Sequence, residues 1–515
     1  MSPILSPLSS NVSRRTTSRS RSIPAPYKGW NAKDPISDMD PEFAVILDNW
    51  FPDEESIELR KGYANHVTGI TGTVETLMSY RGPSVSKLLA CANNSIYDVS
   101  AAGAVGSAVV TSLTNNKWQY TNFQNSAGNF IILVNGDDTA RKFDGSSWST
   151  TAIAGPGTPA DLVHIIQHHN RLFFLEKGTT SFWYLPVSAI AGTAAEFDVG
   201  PYLSKGGSLV SHGTWTVDGG SGQDDHYVMI SSEGEVVVYS GTDPADASKF
   251  TLLGVYQIGK PLGRRCMIKY GADLVIMTDQ GFVPMTKALV APDDVSISLS
   301  ENIKNAVHTS AKSYKSNFGW QPLHFTDAQM LIFNVPINTT PSSHQYVMNT
   351  GTGAWCRFTG WDAACWAEHN GKIYFGGNTL VNEAWTGYSD NTLNIKADAK
   401  QAYSYFSPKY VTKLFTMVRP IFQSDATPEP QIQITTDFQD DAPTSTPTTT
   451  TESGSPWDTS PWDTTSWTPE DIIYSQWGSA VGEGRSGSIR FKIETNSTTI
   501  SWLSTDWIWK PGGLM

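Results

Sequence analysis

The sequence predicts an all-β protein: a β-propeller of about six to eight blades, a smaller β-sandwich-like domain and an extended N-terminal arm. Three observations carry that expectation. Turn-forming residues abound, with 43 Gly and 29 Pro among 515 residues and only 17% charged, and β-branched runs outnumber helical patterns. From about residue 76 to 395 one unit recurs: a short apolar strand, a turn and a second strand. After about residue 396 that rhythm gives way to cleanly alternating strands around a long polar stretch.

Residues 1–26 are rich in Ser, Arg, Thr and Pro, include Arg14, Arg15, Arg19 and Arg21, and contain no acidic residue. Such a segment cannot bury enough apolar surface to fold alone. It reads as an extended assembly arm that orders against an acidic neighbour. Residues 27–75 read as a platform or entry segment of loop, short strand, turn and strand. Pro35, Pro41 and Pro52 rule out a long helix there. Ile57-Glu58-Leu59-Arg60 alternates like a half-buried strand.

The body, residues 76–395, is punctuated by turns near positions 93, 136, 177, 233, 280, 338 and 376. Each follows an apolar run such as Phe130–Val134, Arg171–Leu175 or Leu274–Met277. Pairs such as Asn135-Gly136 and Glu233-Gly234 supply the positive φ that tight hairpins need. The mean spacing of about 47 residues is a propeller period, with four strands to a unit. A pair of stacked β-sandwiches is the alternative. Only a few segments, Ser300–Lys312 among them, have room for a helix of three turns.

Residues 396–515 read as a C-terminal β domain. Gln431–Phe438, Ser488–Glu494 and Thr499–Trp502 alternate as strands with one wet face. Between them residues 440–469 form a projecting loop with a tandem Ser-Pro-Trp-Asp-Thr repeat at Ser455 and Ser460. Trp457, Trp462 and Trp467 recur there at a five-residue step, in a segment with no core of its own. Protein contact is the favoured reading for them, glycan stacking the other.

Composition narrows the functional classes. A formal net charge of −13 argues against a surface that grips DNA, although an acidic wall would let DNA slide past. Cys91, Cys266, Cys356 and Cys365 show no zinc spacing and read as buried free thiols, with a Cys356–Cys365 disulfide as the lesser option. The first 26 residues lack the apolar core of a signal peptide, and no run of about 18 apolar residues exists to span a membrane as a helix.

Chemistry-bearing motifs are sparse. Asp137-Asp138 with Asp144-Gly145 loosely suggests a calcium loop, but Asp-Gly is the usual hairpin turn. Asp224-Asp225-His226 follows a Gly-rich loop and reads equally as a strand entry. His164 and His168 suit zinc on a helix; a strand places them on one face as packing and rim residues. There is no G-x-S-x-G, P-loop or dinucleotide fingerprint, and no carboxylate pair typical of a glycosidase. No enzyme, metal or cofactor is expected. Several of the 18 tryptophans, Trp118, Trp148, Trp215 and Trp355 among them, stand in turns that look exposed.

The most distinctive residues are Gly29-Trp30-Asn31, Asp34-Pro35-Ile36-Ser37, Ala44-Val45-Ile46-Leu47, Asp48-Asn49-Trp50-Phe51-Pro52 and Glu58-Leu59-Arg60-Lys61-Gly62-Tyr63. Their order resembles the opening of the tail nozzle (packaged-DNA stabilisation) proteins of short-tailed, podovirus-type bacteriophages. The ending, Trp502, Asp506-Trp507-Ile508-Trp509 and Lys510-Pro511-Gly512-Gly513, is similar to the close of the same family. The resemblance implies a structural virion protein at the distal end of the tail, assembled in the host cytoplasm as a homo-oligomeric ring, commonly a hexamer. Such a ring hangs below a tail adaptor ring, meets tail fibres or spikes, closes the DNA channel and releases the packaged genome on infection. It implies that residues 29–63 pair with C-terminal strands as a mounting platform, and that the packaged DNA is contacted only loosely. Arg14, Arg15, Arg19, Arg21, Trp30, Trp50, Trp457, Trp462 and Trp467 are the expected partner-binding residues. The alternatives are a propeller-type carbohydrate-binding or depolymerising tail protein, and a fibre-adaptor or head-completion protein.

Overall fold

Seven small antiparallel sheets arranged around one axis make up most of the molecule. The computed structural model describes residues 17–218, 223–290, 298–338, 341–406, 408–441, 443 and 472–514. Blade 1 has the strands Thr76–Arg81, Ser86–Ala92 and Ser95–Asp98. Blades 2, 3 and 4 have four strands each and begin at Gln119–Asn125, Leu162–His168 and Leu209–Asp218. Blade 5 has three, from Met267–Tyr270, and is followed by the short helix Met285–Val290. Blade 6 starts at Gln321–Phe325 and blade 7 at Cys365–His369. The first strand of each blade lies beside the first strand of the next, and blade 7 returns to blade 1. The ring is closed, and it is a seven-bladed propeller.

The seven turns read from the sequence fall one to a blade, each between the second and third strands. At Asn93 and Asn94 both φ angles are positive, +48° and +55°, the geometry that a two-residue hairpin with right-handed strand twist requires. Apolar second strands such as Ile131–Val134 and Val275–Met277 are buried on both faces, because each blade packs between two others. The expected helix also forms: a single 3-10 turn, Glu301–Ile303, leads into Lys304–Tyr314, which buries Val307 and Ala311.

Closure comes from upstream. The outer strand of blade 7 is Tyr63–Thr73, which pairs with Asn378–Ala384. This corrects the expected boundary: residues 63–73 belong to the propeller, not to the platform. The segment ahead of them crosses into a second structure. Ala44–Asp48 is inserted between Trp355–Thr359 of blade 6 and Ile395–Gln401, so blade 6 runs on without a break into an eight-stranded sheet ending in Gly487–Thr495 and Gln431–Thr436. The C-terminal β domain is therefore not separate; it grows out of a blade.

A seven-stranded sheet covers it. Ile500–Leu514 lies at its centre between Val411–Ser424 and the N-terminal strands Ile57–Leu59 and Arg19–Pro24. Aromatic rings fill the space between the two sheets, with Phe491 edge-on to Trp502 at 4.6 Å and Phe415 edge-on to Trp507 at 5.5 Å. Such tilted pairs add to area burial. Arg19–Pro24 is ordered by its own chain's last strand, which corrects the expectation that this part of the arm needs a partner.

Asn49, at φ +63°, turns the chain from one sheet to the other. Its amide is fully used. The Nδ2 donates to Thr359 Oγ1 and to the Lys396 carbonyl, and the Oδ1 accepts from the Thr359 N–H and from Arg60 Nε. Arg60 is wholly buried and grips Asp390 with two bonds of 2.8 and 2.7 Å. It also donates to the Lys61 and Thr359 carbonyls and lies 4.8 Å from the Trp361 ring. Two residues on, a Cβ at Gly62 would sit 1.8 Å from the Ser389 carbonyl oxygen, so only Gly fits.

Removing one partner of a buried, hydrogen-bonded ion pair strands the other charge. Asp390→Ala is expected to lower the unfolding free energy by about 3–5 kcal/mol in urea titrations. The Arg60→Met, Asp390→Leu double variant is expected to lose less than Asp390→Ala alone, because no charge is left unpaired.

Candidate functional site

Where seven blades converge, their first strands cannot meet on the axis, and the gap left is lined by whatever those strands turn inward. Here a cavity of about 440 Å³ lies against blades 2 to 5. Its wall is polar: Gln119 and Thr121, then His164, Gln167 and His168, then Ser211, His212 and Thr214, then Lys269. A second hollow of about 330 Å³ opens at one end, walled by the segments leading into blades 2, 5 and 6 and carrying Lys117 and Lys315. Gln119, Arg264 and Arg265 border both.

Arg265 holds the axis together. Its guanidinium donates to the Glu75 carbonyl and Thr76 Oγ1 at blade 1, to the Trp118 carbonyl at blade 2 and to Gln321 Oε1 of blade 6. Arg264 is different. Its guanidinium makes no hydrogen bond or ion pair with any described residue, although Asp137 is near enough to be felt electrostatically. The amide nitrogen of Gln119, a residue 7% exposed, has no partner either, nor has Nε2 of His212, 2% exposed. Burying polar groups without partners costs free energy.

His164 and His168 do lie on one strand, as a β reading required, and both meet the cavity. His164 packs edge-on to His212 at 4.8 Å, and His212 Nδ1 is 2.6 Å from the Tyr227 hydroxyl. Burial holds the pKa of His164 and of His168 down to about 3, and that of His212 well below the ordinary imidazole value. All three are neutral at pH 7. They are hydrogen-bonding walls, not acid–base groups. Among the described residues no three His, Cys, Asp or Glu side chains converge to hold a metal.

The other sequence candidates resolve individually. Asp138 braces a loop, accepting from Asn135 and Thr114, and Asp144 caps its turn through the N–H groups of Ser147 and Ser146, which hold its pKa to about 2. Asp225 accepts from Thr216 Oγ1. All four cysteines are free and buried, so Cys356 and Cys365 form no disulfide. Trp118, Trp215 and Trp355 prove buried, a correction to their exposed-looking turns. Trp30 and Trp50 are corrected likewise. At 9% and 0% exposed they are buried, Trp30 against Tyr346 and Arg357 of blade 6, and offer no surface to a partner. Arg19 and Arg21 stand exposed on the edge strand. Arg14, Arg15, Trp457, Trp462 and Trp467 lie outside the described residues, as does most of the 440–469 loop.

Sequence reading passed over Arg264, Gln119 and His212. One signal was available: Arg264-Arg265 is one of two adjacent arginine pairs in the chain. A second feature was also missed. The outer face and the outermost described strands of the seven-stranded sheet expose Leu414, Met417, Ile472, Ile473, Trp477 and Val481, the last 81% exposed.

No family model matches the chain, and no curated protein does. Among solved structures, BBS1N in complex with ARL6DN is similar at a TM-score of 0.40 and 9% identity, covering 63% of this chain and 96% of that one. YCF48 bound to D1 peptide is similar at 0.38 and 12%, covering 66% and 97%. The propeller assignment rests on the strand pairing of this chain.

The buried histidines set a pH dependence. In the unfolded chain each titrates near 6.5, whereas in the folded protein His164 and His168 stay neutral down to about pH 3. Between those values the unfolded state binds the extra protons, so stability falls as pH drops below 6.5. Urea midpoints measured from pH 7 to pH 5 are expected to decline, each such histidine contributing up to about 1.4 kcal/mol per pH unit. The His168→Gln, His212→Gln variant is expected to show a shallower slope.

Proposed function

We propose that this chain is the structural subunit of a tail nozzle: a ring, commonly of six copies, that caps the DNA channel of a short-tailed phage particle, retains the genome and lets it out. The observation that carries the reading is the apolar outer face and edge formed by Leu414, Met417, Ile472, Ile473, Trp477 and Val481. A patch of this kind on a chain of net charge −13 marks a surface that other protein covers. Ile472–Ser475 and Gly478–Gly484, outermost in the sheet among the described residues, add a row of backbone donors and acceptors beside it. The patch belongs to the platform and not to the propeller, whose ring is already closed. That is the division of labour a ring subunit needs: one module to associate, another to stand outward.

Two further features support it. The residues carrying the family resemblance, Tyr63 excepted, build the platform: Gly29 to Gly62 supply the strands, the Asn49 crossing and the Arg60 knot, and Trp502, Trp507 and Trp509 fill its core. The resemblance thus coincides with one folding unit. The charge of −13 per copy gives a ring an acidic field that repels the DNA backbone and keeps it sliding. In this reading the protein holds DNA sterically and makes or breaks no covalent bond.

Purified full-length protein examined by analytical ultracentrifugation and cryo-microscopy is expected to form closed rings of about six subunits, alone or on an adaptor ring. Ile473→Asp with Val481→Asp is expected to abolish the rings and leave the urea midpoint nearly unchanged, since both side chains are exposed. Trimeric spikes, or monomers that add to no tail assembly, overturn the proposal.

A further inference from the structure

The axial cavity of the propeller lies apart from the platform edge, and its wall is chemically organised. Arg264, Arg265 and Lys269 face it with Asp225 as the lining carboxylate, and Lys117 and Lys315 stand at its outer hollow with Asp137. A cationic pocket within a chain of net charge −13 is a local reversal of sign. Walls of low dielectric strengthen such a field toward an anion. Among the described residues the Arg264 guanidinium has no hydrogen-bonding partner, and a guanidinium is built to take two oxygens of a carboxylate or phosphate side by side.

The remaining lining narrows the class. Gln119 Nε2 and His212 Nε2 are buried without partners at the cavity wall. Beside them stand the hydroxyls of Ser211, Thr214 and Thr121 and the amide of Gln167. Neutral imidazoles, hydroxyls and amides both donate and accept, which is what sugar hydroxyls require. A purely apolar ligand finds little here, and a bare ion leaves most of about 440 Å³ unfilled.

We infer that the axial cavity binds a small anionic sugar, its carboxylate or phosphate on Arg264 and its hydroxyls on Gln119, His212, Ser211 and Thr214. Arg265 is already committed to the Glu75 and Trp118 carbonyls, so it contributes charge and a fixed wall, while Arg264 supplies the free fork. The site is independent of the apolar platform edge: binding here and ring formation there stand or fall separately.

The test is isothermal titration of the full-length protein with glucuronate, glucose 6-phosphate, glucose, acetate and inorganic phosphate. Saturable binding of glucuronate or of glucose 6-phosphate is expected, with glucose, acetate and phosphate each at least about tenfold weaker. Whichever anionic sugar binds more tightly identifies the charged group. Arg264→Met is expected to weaken binding by about tenfold or more, as loss of a charge-assisted pair does, and Lys269→Gln by less. Both variants are checked for an unchanged urea midpoint. The inference is overturned if neither anionic sugar binds up to about 10 mM, if glucose or free phosphate binds as well as they do, or if both folded variants bind like the wild type.

Discussion

A single buried guanidinium sets the terms for the rest of this molecule. Arg60 has no access to water, so its charge must be met by protein alone, and the carboxylate that meets it is Asp390. Meeting it brings together three pieces of chain far apart in sequence: the N-terminal segment, the end of blade 6 at Thr359, and the link after blade 7, which supplies Asp390 directly and the Lys396 carbonyl through Asn49. The next strand, Tyr63–Thr73, closes the propeller. Gly62 stands between knot and strand because the Ser389 carbonyl leaves no room for a side chain. The position of the knot fixes the register of the closing strand, and through it the circle.

Much of the propeller was legible because its signal is local. Each of the seven turns sits after an apolar second strand that is buried on both sides, and those residues announce themselves in any short window. The innermost strands do not. Leu162–His168 mixes His and Gln with Ile, since it sends Leu162 and Ile165 into one inter-blade core and Val163 into the next while His164, Gln167 and His168 line the polar cavity. The closing strand was assigned to the wrong unit for a related reason. Tyr63–Thr73 reads as an ordinary alternating strand, and nothing within it says that its neighbour lies at Asn378–Ala384. Proximity in sequence favoured the platform; pairing chose the blade.

The tryptophans mislead in the opposite direction. Trp118, Trp215 and Trp355 sit beside turn residues, yet a turn fixes where the backbone goes and not where the ring points. Trp118 folds back so that its indole N–H meets the Asn115 carbonyl, and Trp355 reaches the Leu299 carbonyl. Arg264 shows the limit of such reading for the candidate site. Its neighbour Arg265 is spent on four backbone and side-chain acceptors, and only coordinates separate the committed arginine from the free one.

The platform is woven from both ends of the described chain: Arg19–Pro24 and Ile57–Leu59 lie against Ile500–Leu514. During synthesis, then, the early strands leave the ribosome long before their partner exists, and they wait with open edges while the blades form between them. A polypeptide interrupted before Ile500 has blades but no finished platform. It lacks the central strand of the seven-stranded sheet. The weave therefore makes completion of the seven-stranded sheet conditional on translation through Trp502, Trp507 and Trp509.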